Sequence, residues 1–169
     1  MKKRVLSMVM ALGIVLSLFS GSMFNVNAEE TSSRQVDGSY LTTQESSTAT
    51  TYNPLLRGTY LMDGDTTISK AGLKKVFVYS ATTANTTVDK VAVCVYVEEY
   101  DEEVEKWSQI DSWVVEKEDN YYVSTQKTVY VDGSHYYRAR SEHFAGNRDE
   151  NGVLNYETAI TVTDGIWVN

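Results

Sequence analysis

From residue 74 onward, apolar and polar side chains alternate with a period of two. KKVFVYSATT sets Val76, Val78 and Ser80 on one side and Phe77, Tyr79 and Ala81 on the other. VAVCVYVEEY sets Val91, Val93, Val95 and Val97 against Ala92, Cys94, Tyr96 and Glu98. A period of two over eight or more residues is a strand, not a helix. LLRGTYLM, WSQIDSWVV, YYVSTQKTVYV, HYYRARSEHF and TAITVTDGIWV read the same way, punctuated at DGD, DEE, VDG, GNRDENG and TDG. β-Branched and aromatic residues dominate, and no amphipathic 3.6-residue repeat is long enough for a substantial helix. Residues 56–169 therefore predict an all-β domain, a seven-stranded antiparallel two-sheet sandwich. No parallel βαβ unit is present, which excludes a doubly wound nucleotide-binding fold.

The first 55 residues differ. Lys2, Lys3 and Arg4 precede an apolar run from Val5 to Phe19, and small residues end at Ala28, so residues 1–28 read as an export signal cleaved between Ala28 and Glu29. The run is shorter than the roughly 20 residues a spanning helix needs. Residues 29–55 are rich in Ser, Thr, Gln and Glu and reach the single proline, Pro54; such a composition predicts a flexible leader, with VDGSYL able to pair at a domain edge. The expected product is secreted and soluble, without stable membrane insertion once the signal is gone.

Charge narrows the partners. The chain carries a formal −8, and loss of the three signal-peptide cations takes it to −11. That balance repels phosphate backbones and anionic membranes, so nucleic acid is not an expected partner. Cys94 is the only cysteine, so no intrachain disulfide exists and the fold rests on its core. Cys94 itself reads as a small apolar strand residue.

VDGSHYYRARSEHFAG, residues 131–146, contains both histidines. In an extended strand His135, Tyr137, Ala139, Ser141 and His143 share one side, while Tyr136, Arg138, Arg140 and Glu142 share the other. At about 3.3 Å per residue the two histidines lie roughly 26 Å apart, too far for one metal ion. Each is read as a surface or strand-end residue, and no metal or cofactor is expected. Burial of both arginines would demand paired carboxylates, so the tyrosine side is assigned inward, with the Tyr137 hydroxyl reaching back to backbone at a corner.

VYVDGSHYYRARSEHFA resembles the penultimate strand of fibronectin type III-like and immunoglobulin-like domains, and VAVCVYVEEYDEEVEKWSQI looks like the preceding hairpin. The likeness spans about half the chain and departs at KKVFVYSATT, which lacks the usual second-strand tryptophan. ISKAG, TTANTTVDKVAVCVYVE, YYRAR and TDGIWV together also resemble a family of small exported proteins of unknown function from Gram-positive gut bacteria, which implies no activity.

The outward face offers Tyr136, Arg138 and Arg140 beside Tyr96 and Glu98. Tyr and Arg together suit stacking on a sugar or anchoring a protein, although plain cross-strand pairing, Arg against Glu and Tyr against aliphatic stems, is the commoner use of such a face. Twelve tyrosines, and Trp107, Trp113 and Trp167, include the adjacent pairs Tyr121-Tyr122 and Tyr136-Tyr137, each of which must turn one ring outward. The acidic runs EEYDEEVEK and DGD match no calcium-loop spacing and read as solvated turns. No G-x-S-x-G elbow or phosphate loop appears. The expected function is a secreted non-catalytic module that binds an extracellular protein or glycan through Tyr136, Arg138, Arg140 and Tyr96. The alternatives are a small secreted hydrolase using the acidic turns, or an exported antimicrobial or toxin-like effector.

Overall fold

The two alternating stretches at 75–83 and 91–100 belong to one strand, and those at 107–115 and 121–130 to another. The computed structural model describes residues 34–51 and 58–169; the signal peptide, its Ala28/Glu29 cleavage point and Pro54 lie outside them. Among the described residues the order is β1 (Gln35–Val36), β2 (Ser39–Thr42), β3 (Ser46–Thr50), β4 (Leu61–Lys70), β5 (Lys75–Asp101), β6 (Lys106–Tyr130), β7 (His135–Arg148), β8 (Leu154–Val162) and β9 (Gly165–Val168), with no helix. All nine strands form one mixed sheet curled into a half-barrel.

β5 and β6 make a long antiparallel ribbon. The other edge of β5 pairs with β4 as far as Ala84 and with β7 from Lys90 onward. Between those partners the ribbon register shifts, because four residues, Ala84 to Thr87, stand opposite Tyr121 alone. Surplus residues in one strand bend it and increase its twist, and this bulge folds the ribbon over its own apolar side. Val76 and Val78 before the bend and Val91, Val93, Val95 and Val97 after it are all fully buried. Each such side chain is worth about 1.5–3 kcal/mol of transfer free energy. Ile68, Tyr137, Ala139, Ala145 and Ile166 complete the core from β4, β7 and β9. Across the mouth of the fold the two halves of β6 meet: Trp113 Nε1 donates to Thr125 Oγ1 at 3.0 Å, and Lys127 bonds Asp111 at 2.7 Å while lying over the Trp113 ring.

Several expectations change. Seven antiparallel strands in two sheets become nine in one mixed sheet, since β2 runs parallel to β9. DGD is not a turn but the interior of β4, where Asp63 accepts from Thr50 Oγ1, Thr51 Oγ1 and the Gly64 amide. TAITVTDGIWV breaks at Thr163-Asp164 into β8 and β9, which take different lengths of the same β7 edge. The supposed flexible leader is, over residues 34–51, mostly strand: β1 and β2 form a hairpin, β2 joins β9, and β3 pairs with β4. Its sparse apolar content is offset by backbone pairing and by buried hydroxyls, such as Ser39 Oγ donating to the Thr163 carbonyl at 2.7 Å.

His143 is not a surface residue either. It is fully buried, seated against Gly64 of β4, where an added Cβ would collide with the imidazole. The inward assignment of Tyr137 holds, and its hydroxyl lies 2.9 Å from the Asp132 carbonyl and 2.6 Å from Glu99.

Two predictions follow from this packing. Gly64→Ala should lower the urea midpoint, losing about 1–3 kcal/mol through overpacking against His143. For His143 itself, burial pushes the imidazole down from 6.5 to about 4, against the field of Asp63. The unfolded chain therefore takes up a proton that the folded chain refuses between those values. This stability is intact above about pH 6.5 and is lost progressively toward pH 4, by roughly 3 kcal/mol at most. Thermal denaturation of His143→Gln should lack that part of the pH slope.

Candidate functional site

The register of β5, β6, β7 and β8 builds the outer face row by row. Cys94 stands between Val114 and Glu142, and Glu142 in turn opposes Ile160. In the next row Ala92 stands between Glu116 and Phe144, with Thr158 beyond. Tyr96 opposes Ser112 on one side and Arg140 on the other. Small side chains on the central strand between larger ones on its neighbours leave a trough of about 350 Å³, floored by Ala92 and Cys94 and flanked by Val114 and Phe144, with Lys90 and Glu142 at its border. Val114, Tyr156 and Ile160 are each about 60 % exposed on this face, an unusual concentration for a sheet surface in water. Tyr156 crosses over Gly146 and stacks on Phe144 with ring centroids 4.9 Å apart.

The four sequence-predicted residues divide here. Tyr96 and Arg140 meet across β5 and β7, the guanidinium 3.9 Å from the ring centroid, and both remain part-exposed in the row next to Cys94 and Glu142. A hydrogen bond with the Cys94 thiol, and then burial, pushes the Tyr96 hydroxyl up to about 12, so it remains a neutral donor. Burial works against the Arg140 cation, but its bonds to Glu142 and Glu98 outweigh that and raise its value.

Arg138, assigned to the outward face, does point that way but is only 6 % exposed. Its Nε bonds Glu98 at 2.7 Å, its Nη1 reaches Ser39 Oγ at 3.0 Å and the Asp37 carbonyl at 3.2 Å, and its guanidinium lies 4.3 Å from the Trp107 ring centre. The β1–β2 hairpin therefore covers it. Tyr136 is half-buried in the same layer, edge-on to Trp167 with centroids 4.9 Å apart. Glu98 is the carboxylate shared by both arginines, bonding Arg140 Nε at 3.2 Å.

Within the acidic runs, Asp63 in β4 and Asp101 have structural bonds. Asp101 accepts from the amides of Glu103 and Val104 in the β5–β6 turn at 2.8 and 3.2 Å. Among the described residues no three His, Cys, Asp or Glu side chains are grouped to hold a metal ion. Residues absent from the sequence prediction, Val114, Phe144, Tyr156 and Ile160, carry one visible signal: apolar side chains at positions that alternation turns outward. Their adjacency depends on register, which alternation alone does not supply.

The model of a family of unknown function, DUF6147, matches residues 27–164. No curated protein sequence matches the chain. A solved structure named pT26-6p is similar with a TM-score of 0.47 and 13 % identity, over 63 % of this chain and 23 % of its own.

The two arginines should separate in urea denaturation. Arg138→Ala leaves Glu98 without its main partner in a buried layer and should cost about 3 kcal/mol. Arg140→Ala, at the exposed end, should cost about 1 kcal/mol or less.

Proposed function

The chain belongs to the DUF6147 family, whose function is unknown, and we propose that it is an exported, non-catalytic binding module that works outside the cell. The observation that carries this reading is the trough on the outer face of β5, β6, β7 and β8, lined by Ala92, Cys94, Val114, Phe144 and Leu154, with exposed Tyr156 and Ile160 on the same face and the Tyr96–Arg140 pair in the neighbouring row. Interface centres favour such a combination, with aromatic and Arg anchors around a desolvated apolar pocket. A floor of Ala92 and Cys94 suits an apolar side chain of a protein partner better than a bare sugar ring, while the guanidinium over Tyr96 suits a carboxylate or carbonyl beside it. The signal peptide bears on delivery, and the trough on capture. The Tyr137 bond to the Asp132 carbonyl supports kinship with fibronectin type III-like strands at that corner, and the reading of the trough does not depend on it.

The test compares the wild type with Val114→Ser/Ile160→Ser on immobilised cell-wall protein, peptidoglycan and mucin. Retention on the protein surface is expected for the wild type, with at least a tenfold loss in the variant and a melting temperature changed by no more than about 3 °C. Equal retention of both proteins on every surface would overturn the assignment of this face.

A further inference from the structure

A line of buried side chains crosses the core from β5 to β4. Thr82 Oγ1 donates to the Ala92 carbonyl at 3.0 Å and lies 2.9 Å from His143 Nδ1. His143 Nε2 lies 2.8 Å from Thr161 Oγ1, which lies 2.7 Å from Thr66 Oγ1. Thr66 lies 2.9 Å from Ser80 Oγ, which donates to the Asp65 carbonyl at 2.8 Å. Every side chain in this line is at most 3 % exposed, so its polar atoms depend on one another.

Counting protons along the line gives its direction. A hydroxyl donates one hydrogen, a neutral imidazole one, and an imidazolium two. Thr82 spends its hydrogen on Ala92, so Nδ1 must carry the imidazole hydrogen. In the neutral state Thr161 then donates to Nε2 and Thr66 to Thr161, and Ser80 has one hydrogen for two acceptors, Thr66 and the Asp65 carbonyl. One of the six contacts therefore lacks a proton. With imidazolium the shortage disappears: Nε2 donates to Thr161, Thr161 to Thr66, Thr66 to Ser80 and Ser80 to Asp65, while the Thr82 branch is unchanged. Each hydroxyl then donates once and accepts once, and both branches end on backbone carbonyls.

We propose that His143 is an internal proton acceptor, and that reversal of the Thr161–Thr66–Ser80 hydroxyls lets the folded sheet take up one proton in acid without breaking a contact. The charged surroundings agree with this. From β4 the facing group is Asp63, whose field favours the cation. From β5 His143 meets Thr82 and the Ala81 carbonyl, which also favours the cation. From β8 it meets Thr161, with Glu157 two positions beyond the paired Ala159 and occupied by the amides of Thr59, Tyr60 and Leu61. Glu142 and Lys90 border the trough on the opposite face of the sheet. Burial opposes uptake and delays it to acid pH, and the reversible chain keeps the strands joined when it occurs. The line ties β4, β5, β7 and β8 together, so the outer face those last three strands help build would keep its shape in acid.

Imidazole nitrogen shifts of the chain, followed by NMR from pH 7 to pH 3, read this directly. His143 should become doubly protonated while the spectrum keeps its native dispersion. Ser80→Ala relieves the shortage in the neutral state and removes the end of the reversed chain. It should lower the His143 midpoint by roughly half to one pH unit, a threefold to tenfold loss of proton affinity. Thr66→Val, which interrupts the same branch at equal volume, should lower it in the same sense. A His143 that stays neutral until native dispersion collapses would overturn the proposal, as would both variants titrating with the wild type.

Discussion

The structure depends on one strand long enough to need covering by itself. β5 runs for 27 residues with inward valines toward both ends, and a straight ribbon of that length would leave them in water. The four residues from Ala84 to Thr87 opposite Tyr121 supply the bend. Once it is made, β4 and β7, paired to different lengths of the same β5 edge, face each other across the valines, and the remaining strands have edges to join. No disulfide helps, so burial along this strand and its partners carries the fold.

Two polar assemblies then settle what the apolar core leaves open. On the inside, the hydroxyl and imidazole line pairs groups that would otherwise be stranded between β4 and β8. On the outside, Glu98 and Arg138 anchor the β1–β2 hairpin through Ser39 and the Asp37 carbonyl. The same sheet face thus serves two purposes along its length. Beneath the hairpin it is a second, aromatic layer of Tyr100, Trp107, Tyr136 and Trp167; beyond Arg140 it opens to solvent as the trough.

Alternation made much of this legible. The faces of β5 and β7 are those it assigns: valines, Tyr137 and Ala139 inward, Tyr96, Arg138 and Arg140 outward, with Tyr96 and Glu98 as cross-strand neighbours of the arginines. The misreadings share a cause. A period-two pattern identifies two faces of a strand but not what lies over either. Alternation turns Arg138 outward, as observed, but is silent on its cover, which comes from residues 37 and 39, about a hundred positions earlier and in a segment whose composition argues against order. The same alternation puts His143 on the inward side but gives no sign of its burial between Thr82 and Thr161, which come from two other strands.

The sequence by itself determined the all-β class, the inward row of valines and the acidic, disulfide-free character of the chain, since these follow from local periodicity and composition. Only the tertiary structure decided that two pairs of predicted strands are single strands, β5 and β6, that the N-terminal segment is part of the sheet, and that Val114, Phe144, Tyr156 and Ile160 converge on one face. The physical reason is that strand register and curl are set by hydrogen bonds and packing between residues far apart in the chain. A single strand's pattern repeats every two residues and holds no record of its neighbour's position.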